Sequence, residues 1–174
     1  MAMKNRLFLM LAVIIFLFIN ADVKAGVDAI APSEACRLLD GIGLPTLGWN
    51  TYDDNESKCS SRSIQIGSGN PFKNSLAFYV NGIGQTVLQL KLIVSVLNAT
   101  ESDKAHAVLK KATQNLLMKI TNKPAPENLL TAISDGKNLS LKTGDFSVDV
   151  VRREWTMTTD WATINCHEIA VTIY

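Results

Sequence analysis

Residues 75–97 read SLAFYVNGIGQTVLQLKLIVSVL, two apolar runs on either side of a polar, glycine-containing reversal. In both runs the apolar side chains recur at every second position, a period that predicts β-strands with one buried face. The alternating positions are Leu76, Phe78, Val80, Leu88, Leu90, Leu92 and Val94. Between the runs Asn81-Gly82 favours a tight turn, because both residues tolerate a positive φ. The stretch therefore predicts a β-hairpin, which we expect at the centre of the sheet.

The segments that flank this hairpin predict three helices and several further strands. Apolar residues three and four positions apart indicate a long helix that begins with Thr100 as its N-cap and ends before Pro124. Two shorter helices are expected at residues 32–39 and 127–134, the second ending at Gly136. Strands are expected at residues 47–52, 60–66, 139–142, 146–155 and 161–174. We therefore predict an α+β fold: an antiparallel twisted sheet of about five to seven strands, with one long and two short helices packed mainly on one face.

The N-terminal region has the composition of an export signal. Lys4 and Arg6 precede a 13-residue apolar run at positions 7–19, and Val23-Lys24-Ala25 follows it. We predict a signal peptide over residues 1–25, a single domain over residues 26–174, and a periplasmic or secreted location. The alternative is an uncleaved anchor, but 13 helical residues rise only about 20 Å against a hydrocarbon core of about 30 Å. We expect no stable membrane anchor after cleavage.

The charge and the missing motifs exclude several classes of function. The formal net charge of +1 over 174 residues is not that of a strongly basic nucleic-acid-binding protein, and we expect no nucleic-acid partner. No nucleotide-binding loop, nucleophile elbow or zinc-protease motif occurs. We expect neither a cofactor nor a metal, and no enzymatic activity. His106 is expected at the surface or boundary of the long helix and His167 half exposed on a strand; a metal site shared by the two is the alternative.

The three cysteines are interpreted through the oxidising compartment that export implies. Cys36 and Cys59 enclose 22 turn-rich residues with little core of their own, and we predict a disulfide between them. Cys166 is then the odd one, expected as a buried thiol. Pairing of Cys166 with another cysteine, in this chain or in a second molecule, stays open. A Cys166–His167 nucleophile is disfavoured because adjacent strand residues point to opposite faces.

Arginine and tryptophan side chains near the C-terminus form the candidate interaction patch. Arg152, Arg153 and Trp155 lie at the end of one predicted strand, and Trp161 lies six positions beyond Trp155. Trp and Arg are the residues that most often anchor protein contacts. The alternative is that Trp155 packs in the core while the arginines form solvated ion pairs with Glu154 or Asp160.

The order of several short segments resembles that of small exported bacterial proteins of uncharacterised function, and the resemblance covers most of the mature chain. These segments are the helix with Cys36, residues 43–46 (Gly-Leu-Pro-Thr), Trp49, Cys59, residues 74–80, the long helix, and the strand with Arg152-x-x-Trp155. The resemblance implies an α-β-β-β-α-β-β layout, similar to that of type III secretion chaperones, and carries no catalytic residue. Those chaperones are acidic and cytosolic and end with a helix, whereas this chain is nearly neutral, has an export signal and ends with a predicted strand.

Export, compactness and the lack of a reactive constellation together indicate a non-enzymatic binding module. We expect it to act on an unknown protein partner in the cell envelope, for example as an immunity or inhibitor protein. The alternative is a small-molecule or lipid carrier with an apolar pocket between helices and sheet. A hydrolase would instead need acidic or histidine side chains gathered in a cleft.

Overall fold

A computed structural model describes residues 26–52, 55–69 and 72–174, so the predicted signal peptide (1–25) lies outside the described residues. Within these ranges the chain forms three α-helices and eight β-strands. The helices are α1 (Pro32–Ala35), α2 (Ser102–Thr121) and α3 (Glu127–Asp135). The strands are β1 (Asn50–Thr51), β2 (Glu56–Ser60), β3 (Ile64–Ile66), β4 (Asn74–Ile83), β5 (Thr86–Val96), β6 (Leu139–Thr143), β7 (Phe146–Thr158) and β8 (Thr163–Ile173). No helix among the described residues is both long and apolar enough to span a bilayer.

The strands form one antiparallel sheet in the order β1-β2-β4-β5-β8-β7-β6. The predicted α+β class with an antiparallel sheet is therefore confirmed. The expected number of five to seven strands is wrong, because the single strand predicted at residues 60–66 is two strands. β2 pairs with the end of β4 and β3 pairs with its beginning, with Ser61, Arg62 and Ser63 between them. Both strands thus share one edge of β4.

The predicted central hairpin is present as β4 and β5, but its turn is displaced. The strands continue through Asn81-Gly82, where a β-bulge shifts the register, and the chain reverses at residues 84–85. Gly82 is required there, because a Cβ atom would collide with the backbone carbonyl of Thr86. The bulge changes the face on which β5 begins. Val87 is consequently buried, and Leu88, expected inside, is 46% exposed.

The helix packing differs from the expected arrangement of one long and two short helices mainly on one face, because the helices cover different parts of the sheet. α2 packs on β3, β4 and β5, while α3 packs on β6 and β7 and against α2. The helix expected at residues 32–39 is only the four-residue α1, which contacts β5. The apolar stripe predicted for α2 is buried at Ala105, Leu109, Ala112, Leu116 and Leu117. Together with alternate residues of β4, β5 and β8, these side chains form the hydrophobic core.

A buried asparagine fixes the beginning of α2. The Asn74 side chain is fully buried and its Oδ1 accepts hydrogen bonds from the backbone N–H groups of Leu97 and Asn98, both at 2.8 Å. Its Nδ2 donates to the carbonyls of Asn98 and Glu101. The predicted N-cap Thr100 is wrong: Asn98 caps the 3-10 turn Ala99–Glu101 by accepting from the Thr100 N–H, and α2 begins after Glu101 without a side-chain cap. These bonds hold the turn that leads into α2 close to the end of the sheet.

The predicted disulfide between Cys36 and Cys59 is present, with a Cα–Cα distance of 6.0 Å. It joins the segment after α1 to β2, and both cysteines are buried. Cys166 is a buried free thiol. A disulfide is compatible with the oxidising compartment expected for an exported protein.

Candidate functional site

The β7–β8 hairpin extends beyond the rest of the sheet. β8 pairs with β5 only over residues 167–173, and β6 pairs with β7 only over residues 146–150. Past these limits the two strands pair only with each other, as far as Thr158 and Thr163. We call this two-stranded extension, residues 153–166, the arm. A two-stranded ribbon has little stability of its own in water, which makes an exposed arm unusual without a partner.

The backbone hydrogen bonds of the hairpin show which residues of the arm have free backbone groups. Ser147 and Tyr174 exchange both of their N–H and C=O bonds, and the Thr159 N–H donates to the Ala162 carbonyl at 2.8 Å. Because bonded pairs alternate in an antiparallel ladder, the odd-numbered residues of β7 bond to β8. The even-numbered residues direct their N–H and C=O groups to the opposite edge. The Arg152 N–H accordingly donates to the Asn138 side chain at 2.7 Å.

Beyond Arg152 this edge has no partner in the described part of the chain. The backbone groups of Glu154, Thr156 and Thr158 point outward, and no described strand pairs with them. Such an edge is a template for pairing with another chain, and proteins usually cover it. The arm therefore presents an open strand edge about five residues long.

The structure places all four residues of the candidate interaction patch on this hairpin, but not on one face. Trp155 is 40% exposed and lies on the same face as Arg153. The Arg153 Nη1 atom is 3.8 Å from Glu168 Oε1. Arg152 lies on the opposite face. Trp161 is 64% exposed at the tip of the arm, where its ring stacks on Phe72 with centroids 6.2 Å apart. Trp155 therefore does not belong to the core.

A cleft lies between the base of the arm and the first turn of α2. It has a volume of about 640 Å³ and is open to solvent. Polar side chains that line it include Ser102, His106, Arg152, Glu154, Asn165 and His167. By contrast, the side chains between the helices and the sheet belong to the buried apolar cluster.

Two buried histidines meet at the cleft. His106 of α2 and His167 of β8 are each only 7% exposed, so the surface and half-exposed positions expected from the sequence are wrong. Their Nε2 atoms are 2.9 Å apart, and their ring centroids are 5.2 Å apart. The centroid separation equals the Nε2–Nε2 distance plus the distance from each ring centre to its own Nε2. The two Nε2 atoms therefore lie on the line between the ring centres, and the rings point at each other. This is the geometry of a direct N–H···N hydrogen bond.

The bond made by the other nitrogen of His106 determines the tautomers of both rings. His106 Nδ1 lies 3.1 Å from the backbone carbonyl of Ser134, which can only accept, so Nδ1 carries the hydrogen. In the neutral ring His106 Nε2 is then an acceptor, and His167 Nε2–H donates to it. His167 Nδ1 is left as an acceptor, and it makes no hydrogen bond to any described residue. That nitrogen is therefore available to the cleft.

The charges around His167 keep its ring neutral. Burial, the Arg152 guanidinium and His106 together lower the pKa of His167 from 6.5 to about 4, while the Glu154 carboxylate opposes the shift. Arg152 is itself held in place, because its Nε donates to Glu154 Oε1 at 2.7 Å. Its guanidinium also packs against Gly136, the C-cap of α3, where a Cβ atom would collide with it. The cleft thus contains the Arg152 cation, the Glu154 anion and the neutral imidazole of His167.

Sequence reasoning did not predict this cluster, because 61 positions separate the two histidines and neither lies in a motif. A usable signal was that His106 lies one position from Ala105, on the buried stripe of its helix. In the part of the chain that the structure describes, no three His, Cys, Asp or Glu side chains are grouped in a way that could hold a metal ion. No family model, curated protein or solved structure matches the chain.

Proposed function

We propose that this protein is an exported, non-enzymatic binding module that captures a protein partner in the cell envelope by adding one of the partner's strands to β7. The open edge formed by Glu154, Thr156 and Thr158 is the observation that carries the proposal. Main-chain hydrogen bonds along such an edge give affinity, and neighbouring side-chain contacts give specificity. An immunity or inhibitor protein that masks a toxin or hydrolase is one form of this function.

The side chains of the arm support this mode of binding. Trp155 and Trp161 offer large exposed indoles on the arm, and such side chains commonly anchor interfaces. Threonines at positions 156 and 158 are β-branched and suit a paired strand. The Cys36–Cys59 disulfide supports the envelope location, since disulfides persist in oxidising compartments.

The proposal is tested by removing a single outward N–H. Thr158→Pro deletes that donor while leaving the β7–β8 ladder intact, because residue 158 faces away from β8, and proline is tolerated on edge strands. Thr158→Val is the matched control, since it alters the side chain and keeps the N–H. A photo-crosslinking amino acid placed at position 155 would identify the partner in living cells. Position 88 is the control site, because the native Leu88 is 46% exposed and lies away from the arm.

We expect one discrete protein adduct from position 155 and none from position 88. The adduct should disappear with Thr158→Pro and persist with Thr158→Val. Equal crosslinking from both positions, or an adduct that survives the proline, would refute strand addition at this edge.

A further inference from the structure

The cleft at the base of the arm has features of a small-molecule site that strand addition to β7 does not use. Its volume of about 640 Å³ lies within the range of about 300–1,000 Å³ typical of ligand pockets. Asn165 and His167, on β8, line the side away from the open edge of β7, and the side chains of Glu154 and Thr156 line the opposite side. Nothing in the proposed function assigns a role to the two histidines.

His167 is the group that indicates a ligand. It is 7% exposed, and its Nε2–H is committed to His106, which in turn is oriented by the Ser134 carbonyl. Its Nδ1 acceptor makes no hydrogen bond to a described residue, and the ring lines the open cleft. A ligand at this position therefore has to bring a hydrogen-bond donor.

The remaining polar groups of the cleft complement both donors and acceptors. Arg152 uses its Nε for Glu154 and retains other N–H donors, and Glu154 retains acceptor capacity beyond that bond. The Asn165 amide can donate and accept, and it is exposed to the cleft. The first turn of α2 contributes the Ser102 hydroxyl.

The balance of charge selects among ligand classes. The ion pair between Arg152 and Glu154 places one positive and one negative side chain together in the cleft. An anion would meet the Glu154 carboxylate, and a cation or a metal ion would meet the Arg152 guanidinium. Hydroxyl groups donate and accept at once, so a neutral ligand that carries several of them matches every group present.

We propose that the cleft between α2 and the arm binds a neutral polyhydroxylated ligand, a saccharide, with a ligand hydroxyl donating to His167 Nδ1. Arg152, Glu154 and Asn165 hold the neighbouring hydroxyl groups. His106 and the Ser134 carbonyl do not touch the ligand. Their hydrogen bond fixes the tautomer of His167, which leaves His167 Nδ1 free to accept.

The test is a titration of the whole mature protein, followed by NMR, with three neutral probes: maltotriose, cellotriose and triacetylchitotriose. Gluconate and Zn²⁺ are the charged comparison probes. Asn165→Ala and Glu154→Gln are the cleft variants, both at exposed positions so that the fold is retained. Gln85→Ala, exposed at the opposite turn of β4 and β5, is the matched control.

We expect at least one neutral probe to shift the His167 ring signals saturably. Each cleft variant should weaken its Kd about five- to tenfold, the loss that follows from one hydrogen bond, and Gln85→Ala should leave it unchanged. The proposal is overturned if no neutral probe shifts these signals, if gluconate or Zn²⁺ binds there more tightly, or if both cleft variants bind like the wild type. Thr158→Pro changes no cleft residue, so failure of strand addition would not affect this result.

Discussion

Protonation of His167 should make the protein markedly less stable in mild acid. The folded-state pKa of about 4 lies below the ordinary value of 6.5, so the unfolded chain takes up this proton first as the pH falls. The contribution to stability is fully present above pH 6.5, is lost progressively as the pH falls towards 4, and stays constant below that. Since one pKa unit corresponds to 1.36 kcal/mol, the lowering amounts to about 3 kcal/mol of unfolding free energy.

The structure accounts for the size of this effect. A protonated His167 would remain buried, would lie near the Arg152 guanidinium, and would have only the Glu154 carboxylate as compensation. The hydrogen bond to His106 would survive, because His167 Nε2–H donates in both protonation states. The cost therefore comes from burial of charge and from repulsion, not from a broken hydrogen bond.

Urea unfolding at a series of pH values between 7 and 4 measures the effect, with His167→Gln as the comparison. The glutamine amide can still donate to His106 Nε2 but does not titrate. Carboxyl groups whose pKa is also changed by folding, such as Glu101, whose pKa is lowered by the Ser68 N–H, are common to both proteins and cancel. We expect the wild type to lose about 2–3 kcal/mol more than the variant between these limits. Parallel stability profiles would show that the His167 ring is not neutralised by its surroundings.

Two further predictions concern covalent and backbone constraints. Replacing Cys36 and Cys59 by serine should lower the unfolding free energy by about 3.4 kcal/mol, the chain-entropy value for a bridge spanning 23 positions, as measured by urea denaturation; equal stability with and without the bridge would contradict it. Gly136→Ala should destabilise the fold by about 1–3 kcal/mol through its positive φ and its collision with the Arg152 guanidinium. Gly144→Ala is the control, because Gly144 has the same φ but open space around it, and thermal unfolding should show a smaller loss. Equal losses at the two glycines would show that the guanidinium simply moves aside.

The local sequence pattern was sufficient to predict those elements in which the environment of each residue is set by its near neighbours in the chain. The two-residue period predicted β4 and β5, and the three- and four-residue period predicted α2. Gly136 ends α3 as expected, with φ of +62°. The pattern was wrong about Leu88, because a bulge changes the face of a strand without any change in composition.

The candidate patch shows how far such reasoning reaches. Arg152 and Arg153 are adjacent in a strand, and alternation alone places them on opposite faces. The lengths of β7 and β8 relative to β5 and β6, however, decide that Trp155 is exposed on an unpaired arm. The residue at which a strand stops pairing with its neighbours depends on where those neighbouring strands end. That information is not contained in the sequence of the strand itself.

By itself the amino-acid sequence determined the hairpin strands β4 and β5, the long helix α2, the α+β class and the cysteine pair that is bridged. These follow from periodicity, turn residues and spacing within one stretch of chain. Only the tertiary structure decided that His106 and His167 meet head-on, that Arg152 joins them, and that an open strand edge lies beside their cleft. The physical reason is that hydrogen-bond partners, burial and the pKa shift of His167 arise from groups that are distant in sequence and become neighbours only when α2 packs beside β8.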